Sequence, residues 1–216
     1  MPYIKKISLH GASSAGPFSG TLNLQDGLQV ISAPNGFGKS LAVCTLTWCL
    51  NLEATYGVVN GDCRFFPGNI QTEVEFDGSL VKIASLVGEI EIDLGEGSLL
   101  TLIRPVSGGD SKYIYFKLLT SDKSETLSGK LLTGHGSWAD LNAGFQRFLF
   151  QKLNIPAVRL LNRDGQESRI YFENLASLYF IEQYRGWADI QTRQVYRYGI
   201  EEVNPASFEL LLGLDS

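Results

Sequence analysis

Ala33-Pro34-Asn35-Gly36-Phe37-Gly38-Lys39-Ser40 is the stretch on which the reading of this chain turns. It follows the apolar run Leu28 to Ile31, which predicts a strand, and leads into Leu41 to Leu52, which predicts a helix. A glycine-containing turn between strand and helix is the setting of a phosphate-binding loop, and the chemistry explains the spacing. The glycines let backbone N–H groups curl around a phosphate chain, Lys39 reaches the terminal phosphates, and the Ser40 hydroxyl can ligate magnesium. The helix that begins there adds the positive end of its dipole. Ala33 stands where the pattern usually opens with glycine, while Gly36, Gly38, Lys39 and Ser40 keep the chemical part. The competing account is a glycine-rich turn with Lys39 merely solvated. The apolar segments on both sides favour the phosphate loop.

With 216 residues the chain has room for one substantial core, and its 44% hydrophobic and 19% charged residues are those of an ordinary globular protein. A formal net charge of −5 gives no general attraction to nucleic acid, so any such contact needs a local basic patch or a partner. No apolar run approaches the ~20 residues of a membrane span, and Lys5, Lys6 and His10 interrupt the N-terminus where a secretory signal would be apolar. A cytoplasmic location, with no membrane partner, is expected. Cys44, Cys49 and Cys63 are odd in number and lack metal-type pairing, which suggests small buried thiols rather than a disulfide framework. His10 and His135 are too few histidines for a structural zinc site.

Along the chain, Tyr3 to Leu9 reads as a strand, Gly11 to Gly20 as a loop, and Thr21 to Leu24 as an extended piece that turns at Asp26-Gly27 into Leu28 to Ile31. From Ile70 to Leu119 the pattern has period two, with Ile90, Ile92 and Leu94 alternating with Glu89, Glu91 and Asp93. This predicts half-buried antiparallel strands forming a subdomain after the first helix. Turns are expected at Asp77-Gly78-Ser79, Leu94 to Ser98 and Ser107 to Ser111. Ser121 to Ser137 is polar and glycine-rich and predicts a surface loop. Asp140 to Leu153 predicts a helix, Asn162 to Glu167 a turn, and Leu175 to Ile181 is strongly apolar. A last helix is expected from Asn204 as cap and Pro205 as first helical residue, through Phe208 to Leu212.

Four features in this order resemble the N-terminal half of an ABC-type ATPase head of the structural-maintenance-of-chromosomes (SMC) superfamily, including its DNA-repair relatives. They are the Asn35 to Ser40 core, the antiparallel stretch Ile70 to Leu119, and Tyr179-Phe180-Ile181-Glu182-Gln183 with Gly186-Trp187, which looks like a Q-loop. The fourth is the helix after Asn204 that ends near Leu214, where members of the family begin a coiled-coil arm. The resemblance implies the α/β class, as a P-loop NTPase half-head. Its parts would be a strand–loop–helix unit over 1–60, an antiparallel β lobe over 70–119 and a helical part over 140–216. Leu178 to Glu182 also imitates a Walker B strand, in which Glu182 would organise the metal-bound water, but no signature segment precedes it. Leu127-Ser128-Gly129-Lys130 imitates that signature, yet it lies before Gln183 where family order puts the signature after. A polar loop is the better account of it.

What the resemblance implies is ATP and magnesium as ligands, with Asn35, Gly36, Phe37, Gly38, Lys39, Ser40 and Leu41 around the nucleotide. Ser40 and Gln183 would be on the metal. The catalytic glutamate is expected on a C-terminal ATPase lobe, so this chain alone should hydrolyse ATP poorly. The other implied partners are a second head in an ATP-driven homodimer, DNA, and an associated nuclease or regulatory subunit. DNA repair, chromosome maintenance and defence against foreign DNA all use such heads. Arg104, Arg159, Arg163 and Arg169 are the cationic candidates for a DNA-facing or partner-facing surface. The rival reading is a small-molecule or nucleoside kinase, although no arginine-rich lid is evident. A GTPase would need an Asn-Lys-x-Asp motif, which does not occur.

Overall fold

A computed structural model of the chain describes residues 2–34, 38–56, 62, 66, 69–121, 126–133, 144–161, 164–176 and 203–213. Strand β1 (Tyr3–Ser13) turns back directly into β2 (Gly16–Asn23), and helix α1 (Lys39–Cys49) follows. After a 3-10 turn at Glu53–Tyr56 and the short helix α2 (Asn69–Thr72) come β3 (Glu73–Phe76), β4 (Ser79–Gly95), β5 (Ser98–Ser107), β6 (Tyr113–Leu119) and β7 (Thr126–Leu132). Helix α3 (Phe145–Lys152), the hairpin β8 (Arg159–Leu161) with β9 (Glu167–Arg169), α4 (Phe172–Ala176) and α5 (Val203–Leu212) complete the described elements.

The period-two region is antiparallel throughout, with turns at the three predicted places. Its strands are continuous with the N-terminal hairpin. Because β4 pairs with β1 from Ile83 to Asp93, one sheet runs in the order β2-β1-β4-β5-β6-β7, with β3 on the first four residues of β4, Ser79 to Lys82. Inward residues Ile7, Ile90, Leu102, Phe116 and Leu131 meet Cys49 and Leu50 at the end of α1 and Phe145, Phe148 and Leu149 of α3. The helices therefore cover one face of the sheet, and the apolar period of each strand fixes which face that is.

Five expectations need correction. Gly11 to Gly20 is not a loop. Small residues carry both strands of the first hairpin, which turns at Ser14-Ala15 with Ser13 Oγ donating to the Gly16 carbonyl at 2.9 Å. Ser121 to Ser137 contains β7, whose outer residues Thr126 to Lys130 are exposed because it is an edge strand, so its polarity hid its pairing with β6. The segment Leu127 to Lys130 is thus a strand rather than a flexible loop. Leu28 to Ile31 is not a strand; it forms no ladder with any described strand, and Leu28 and Val30 are 94% and 85% exposed. An apolar run needs a neighbour to pair with, and none of the described strands pairs with it. Finally, α5 begins at Val203, so Asn204 and Pro205 lie inside its first turn, where proline's missing N–H costs no helical bond. Helix α3 likewise starts at Phe145, since Gly144 before it is extended. No helix among the described residues is long and apolar enough to cross a membrane.

Candidate nucleotide site

Helix α1 starts immediately after Gly38, whose φ of 78° and ψ of 11° place it in the left-handed region that glycine enters without a Cβ penalty. No side chain caps this end, and the first intrahelical bond is from the Ala42 amide to the Gly38 carbonyl at 3.0 Å. The amides of Lys39, Ser40 and Leu41 precede that bond and point out of the helix start, as the geometry of any uncapped N-terminus requires. Such amides can donate to an anion, with the helix dipole behind them.

Lys39 Nζ donates to the carbonyls of Ala33 and of Pro34, the latter at 2.9 Å, so the ammonium is held against the chain before the helix. Ser40 is exposed at the helix start, beside it. Below them a cleft of about 370 Å³ opens between α1, the segment around Ser32 and Ala33, and the β1–β2 hairpin. Its floor is apolar, from Ile7, Leu22 and Ala42, with Thr21 and Thr45 adding hydroxyls. Thr45 Oγ1 donates to the Leu41 carbonyl at 2.8 Å, which ties that hydroxyl to the helix. The donor set of ammonium, helix-start amides and the Ser40 hydroxyl fits a phosphate with a divalent cation.

Of the residues expected at the site, the structure brings Gly38, Lys39, Ser40 and Leu41 together around the helix start. Asn35, Gly36 and Phe37, and the Q-loop residues through Gln183, lie outside the described residues, as do Glu182 and Arg163. The segment that leads toward Gln183 is anchored by a buried polar knot. Gln146 Nε2 donates to Glu173 Oε2 at 2.7 Å, and the Phe172 amide donates to Gln146 Oε1 at 2.9 Å, joining α3 to the start of α4. The amide of Tyr171 is met by Asn174 Oδ1 at 2.9 Å.

The far end of α1 is fixed as firmly as its start. Asn51 takes a φ of 56°, with its amide on the Trp48 carbonyl and the Leu52 amide on the Thr47 carbonyl, which is a Schellman stop. Arg104 of β5 reaches this stop: Nη1 donates to the Trp48 carbonyl at 2.8 Å and to Glu53 Oε2 at 3.1 Å, and Nε donates to the Ser111 carbonyl at 2.9 Å. Nη2 lies 2.9 Å from Glu53 Oε1 as an ion contact rather than an aligned hydrogen bond. Arg104 was a candidate for a DNA-facing surface, and that assignment is wrong, because its side chain is fully buried under the Trp48 ring 4.0 Å away. The signal was present in the strand period, since Leu100, Leu102, Arg104 and Val106 all face inward.

Cys49 is buried and Cys44 half-buried, and burial raises both thiols, Cys44 to about 11. Neither has the lowered pKa of a reactive cysteine. Thr21, Ser32 and Thr45 were not anticipated at the cleft. The place of Thr21 depends on the β1–β2 hairpin packing near the start of α1, which no local pattern encodes.

Compared with protein-family models, curated proteins and solved structures, the chain matches none.

Proposed function

We propose that this chain is the ATP-binding N-terminal lobe of an SMC-type ATPase serving DNA repair, chromosome maintenance or defence against foreign DNA. The observation that carries the reading is Lys39 at the uncapped start of α1, with its ammonium on the Ala33 and Pro34 carbonyls. In this reading the terminal phosphates of ATP take the Lys39 ammonium and the amides that follow Gly38, and Ser40 with Gln183 holds magnesium. Phosphoryl transfer asks mainly for positioning and charge neutralisation, and these groups supply the binding half of both. The glutamate that orients water would come from a C-terminal lobe. A facing head would close over the γ-phosphate, so that ATP favours the closed pair and hydrolysis releases it.

The exposed Leu28 and Val30 support a divided head over a self-contained kinase. The segment Leu28 to Ile31 that leads to the helix start pairs with no described strand, which leaves Leu28 and Val30 available to a second lobe.

The test is ATP binding by isothermal titration with magnesium. Lys39→Ala removes a charge-assisted contact worth roughly 1.5–3 kcal/mol, so affinity should fall about tenfold or more while the melting temperature holds. Unchanged affinity in Lys39→Ala would remove the site assignment. Transfer of phosphate to a small acceptor by the chain alone would favour the kinase.

A further inference from the structure

The helices cover one face of the main sheet, and residues that alternate with the core-facing Ile90, Leu102 and Phe116 point to the opposite face. The register sets Glu89 of β4, Ile103 of β5, Tyr115 of β6 and Lys130 of β7 in one row across that face. In the next row Glu91 and Lys117 flank Thr101. Acid therefore lies on β4 and base on β6 and β7, with Ile103 and Tyr115 between them. Lys6 of β1 stands 3.0 Å from Glu89 and also pairs with Glu91, so one ammonium answers two carboxylates, and His10 Nε2 approaches Glu89 only to 4.0 Å. On the basic side no described carboxylate pairs with Lys117 or Lys130, and Lys130 Nζ lies 4.6 Å from the centre of the Tyr113 ring. An open hollow of about 360 Å³ lies between Ile103, Tyr115, Lys117 and Lys130, and Tyr115 is 41% exposed beside it.

We propose that this face is the docking surface for a second copy of the chain. A two-fold axis parallel to the strands and between β5 and β6 lays β7 of each copy over β4 of the other, and β6 over β5. Lys130 then meets Glu89 and Tyr115 meets Ile103, and both contacts occur twice because the interface is isologous. Glu91 meets Ser128 and Lys117 meets Thr101, so no like charges are opposed. Sheets packed face to face sit about 10 Å apart, a gap that glutamate, lysine and tyrosine side chains span. The shared face is four strands, or about 19 Å, wide, which is small for a permanent interface and suits a reversible one. The pairing needs no nucleotide and uses neither Lys39 nor the cleft beside α1.

The experiment is analytical sedimentation of the full chain without nucleotide, at low salt, from about 1 to about 200 μM. A reversible monomer–dimer equilibrium is expected, with a dissociation constant of about 10–100 μM. Lys117→Glu with Lys130→Glu turns the basic half acidic and should weaken association at least about tenfold. The converse variant carries Glu89→Lys, Glu91→Lys and Lys6→Glu, so the β1–β4 pairs keep their partners with signs exchanged, and it should be weakened equally. Mixed in equal amounts, the two variants should form a heterodimer within about threefold of the parent affinity, because the facing charges are again opposite. Should the converse variant melt early, the lysine reversal and Tyr115→Ser, both at exposed positions, must still each weaken association at least about tenfold. A parent chain that stays monomeric at about 200 μM, association unchanged by the lysine reversal, or folded variants that fail to rescue each other overturns the proposal. So does association lost only in Leu28→Asp with Val30→Asp, which would place the contact on that segment. None of these outcomes touches ATP binding, so the nucleotide reading stands or falls separately.

Discussion

Arg104 and Glu53, 51 residues apart in sequence, close a fully buried ion pair against the C-terminal end of the helix whose other end carries Lys39. The guanidinium also occupies the Trp48 carbonyl, the ring of Trp48 and the Ser111 carbonyl, so its charge is met on every side that the described contacts show. A cation at a helix C-terminus is favourable in itself. The larger effect is geometric. The pair ties the Schellman stop of α1 to β5, while Trp48 Nε1 donates to the Pro105 carbonyl at 3.1 Å from the same turn. The start of α1 can then project amides at an anion without the helix sliding over the sheet.

Removing one partner strands the other charge in the core. Arg104→Met should cost about 3–5 kcal/mol, because an unpaired buried carboxylate is left behind. At roughly 2–4 °C per kcal/mol for a chain of this size, the melting temperature should fall by about 6 °C or more, which scanning calorimetry measures. Pairing it with Glu53→Leu removes both charges, and the double variant should recover most of the loss. A double variant that melts as low as Arg104→Met would mean that the lost packing on Trp48, rather than the stranded charge, set the cost.

The same helix depends on Gly88 of β4. A Cβ there would stand 3.1 Å from Cys49 Sγ and 3.2 Å from Thr45 Cγ2, both on α1. Gly88→Ala should therefore destabilise by about 1–3 kcal/mol as α1 is pushed off the sheet. Denaturant midpoint reports that cost. ATP affinity should fall with it, since the cleft shares Thr45. Tolerance of alanine at both readouts would show that α1 has slack against β4.

The parts of this fold that sequence exposed are those in which one residue's environment repeats every second position. Ile90 and Ile92 alternate with Glu89, Glu91 and Asp93 because one face of their strand is covered, and Asp77-Gly78 turns with both residues at positive φ, 49° and 74°. The edge strand β7 was illegible for the opposite reason: five of its residues face water, so no period is imposed. Leu28 to Ile31 misled because an apolar run states only that it suits a strand; pairing is supplied by a neighbour. Around the candidate site, the start of α1 after Gly38 was legible because a left-handed glycine before a helix is a local backbone feature. The hold of Lys39 on Ala33 and Pro34 was not, since it depends on the path of the loop. Arg159 and Arg169 could not be placed together either, since only the β8–β9 hairpin sets them opposite each other.

Alkaline pH should weaken the fold through Cys44. Its thiol is raised from 9.0 to about 11 by burial, so the folded chain keeps a proton that the unfolded chain releases in between. The sign follows: the native state binds more protons, and stability is fully present below pH 9 and falls as pH rises through that window. Thermal melting from pH 8 to 10.5 should decline less steeply in Cys44→Ala than in the parent chain. Alkylation of a variant that retains only Cys44 should show a midpoint near 11. A midpoint near 9 would mean that water reaches the thiol freely.

Leu28 and Val30 offer the most direct test of a divided head. In this chain they are 94% and 85% exposed, so their replacement should remove almost nothing from its own stability. Leu28→Asp with Val30→Asp should therefore change unfolding free energy by no more than about 0.5 kcal/mol, the usual range for surface sites. If a partner lobe covers them, each side chain contributes about 1.5–3 kcal/mol on burial. Loss of both should weaken assembly with a C-terminal lobe by at least about a hundredfold, read by sedimentation or titration of the two pieces. The substitution should also reduce concentration-dependent self-association of the chain alone, since an unpaired apolar extended segment invites strand pairing. A melting temperature lowered by several degrees would place both side chains in this chain's own core and remove the support they lend to a second lobe. Unchanged assembly with a soluble, stable double variant would put the lobe contact elsewhere.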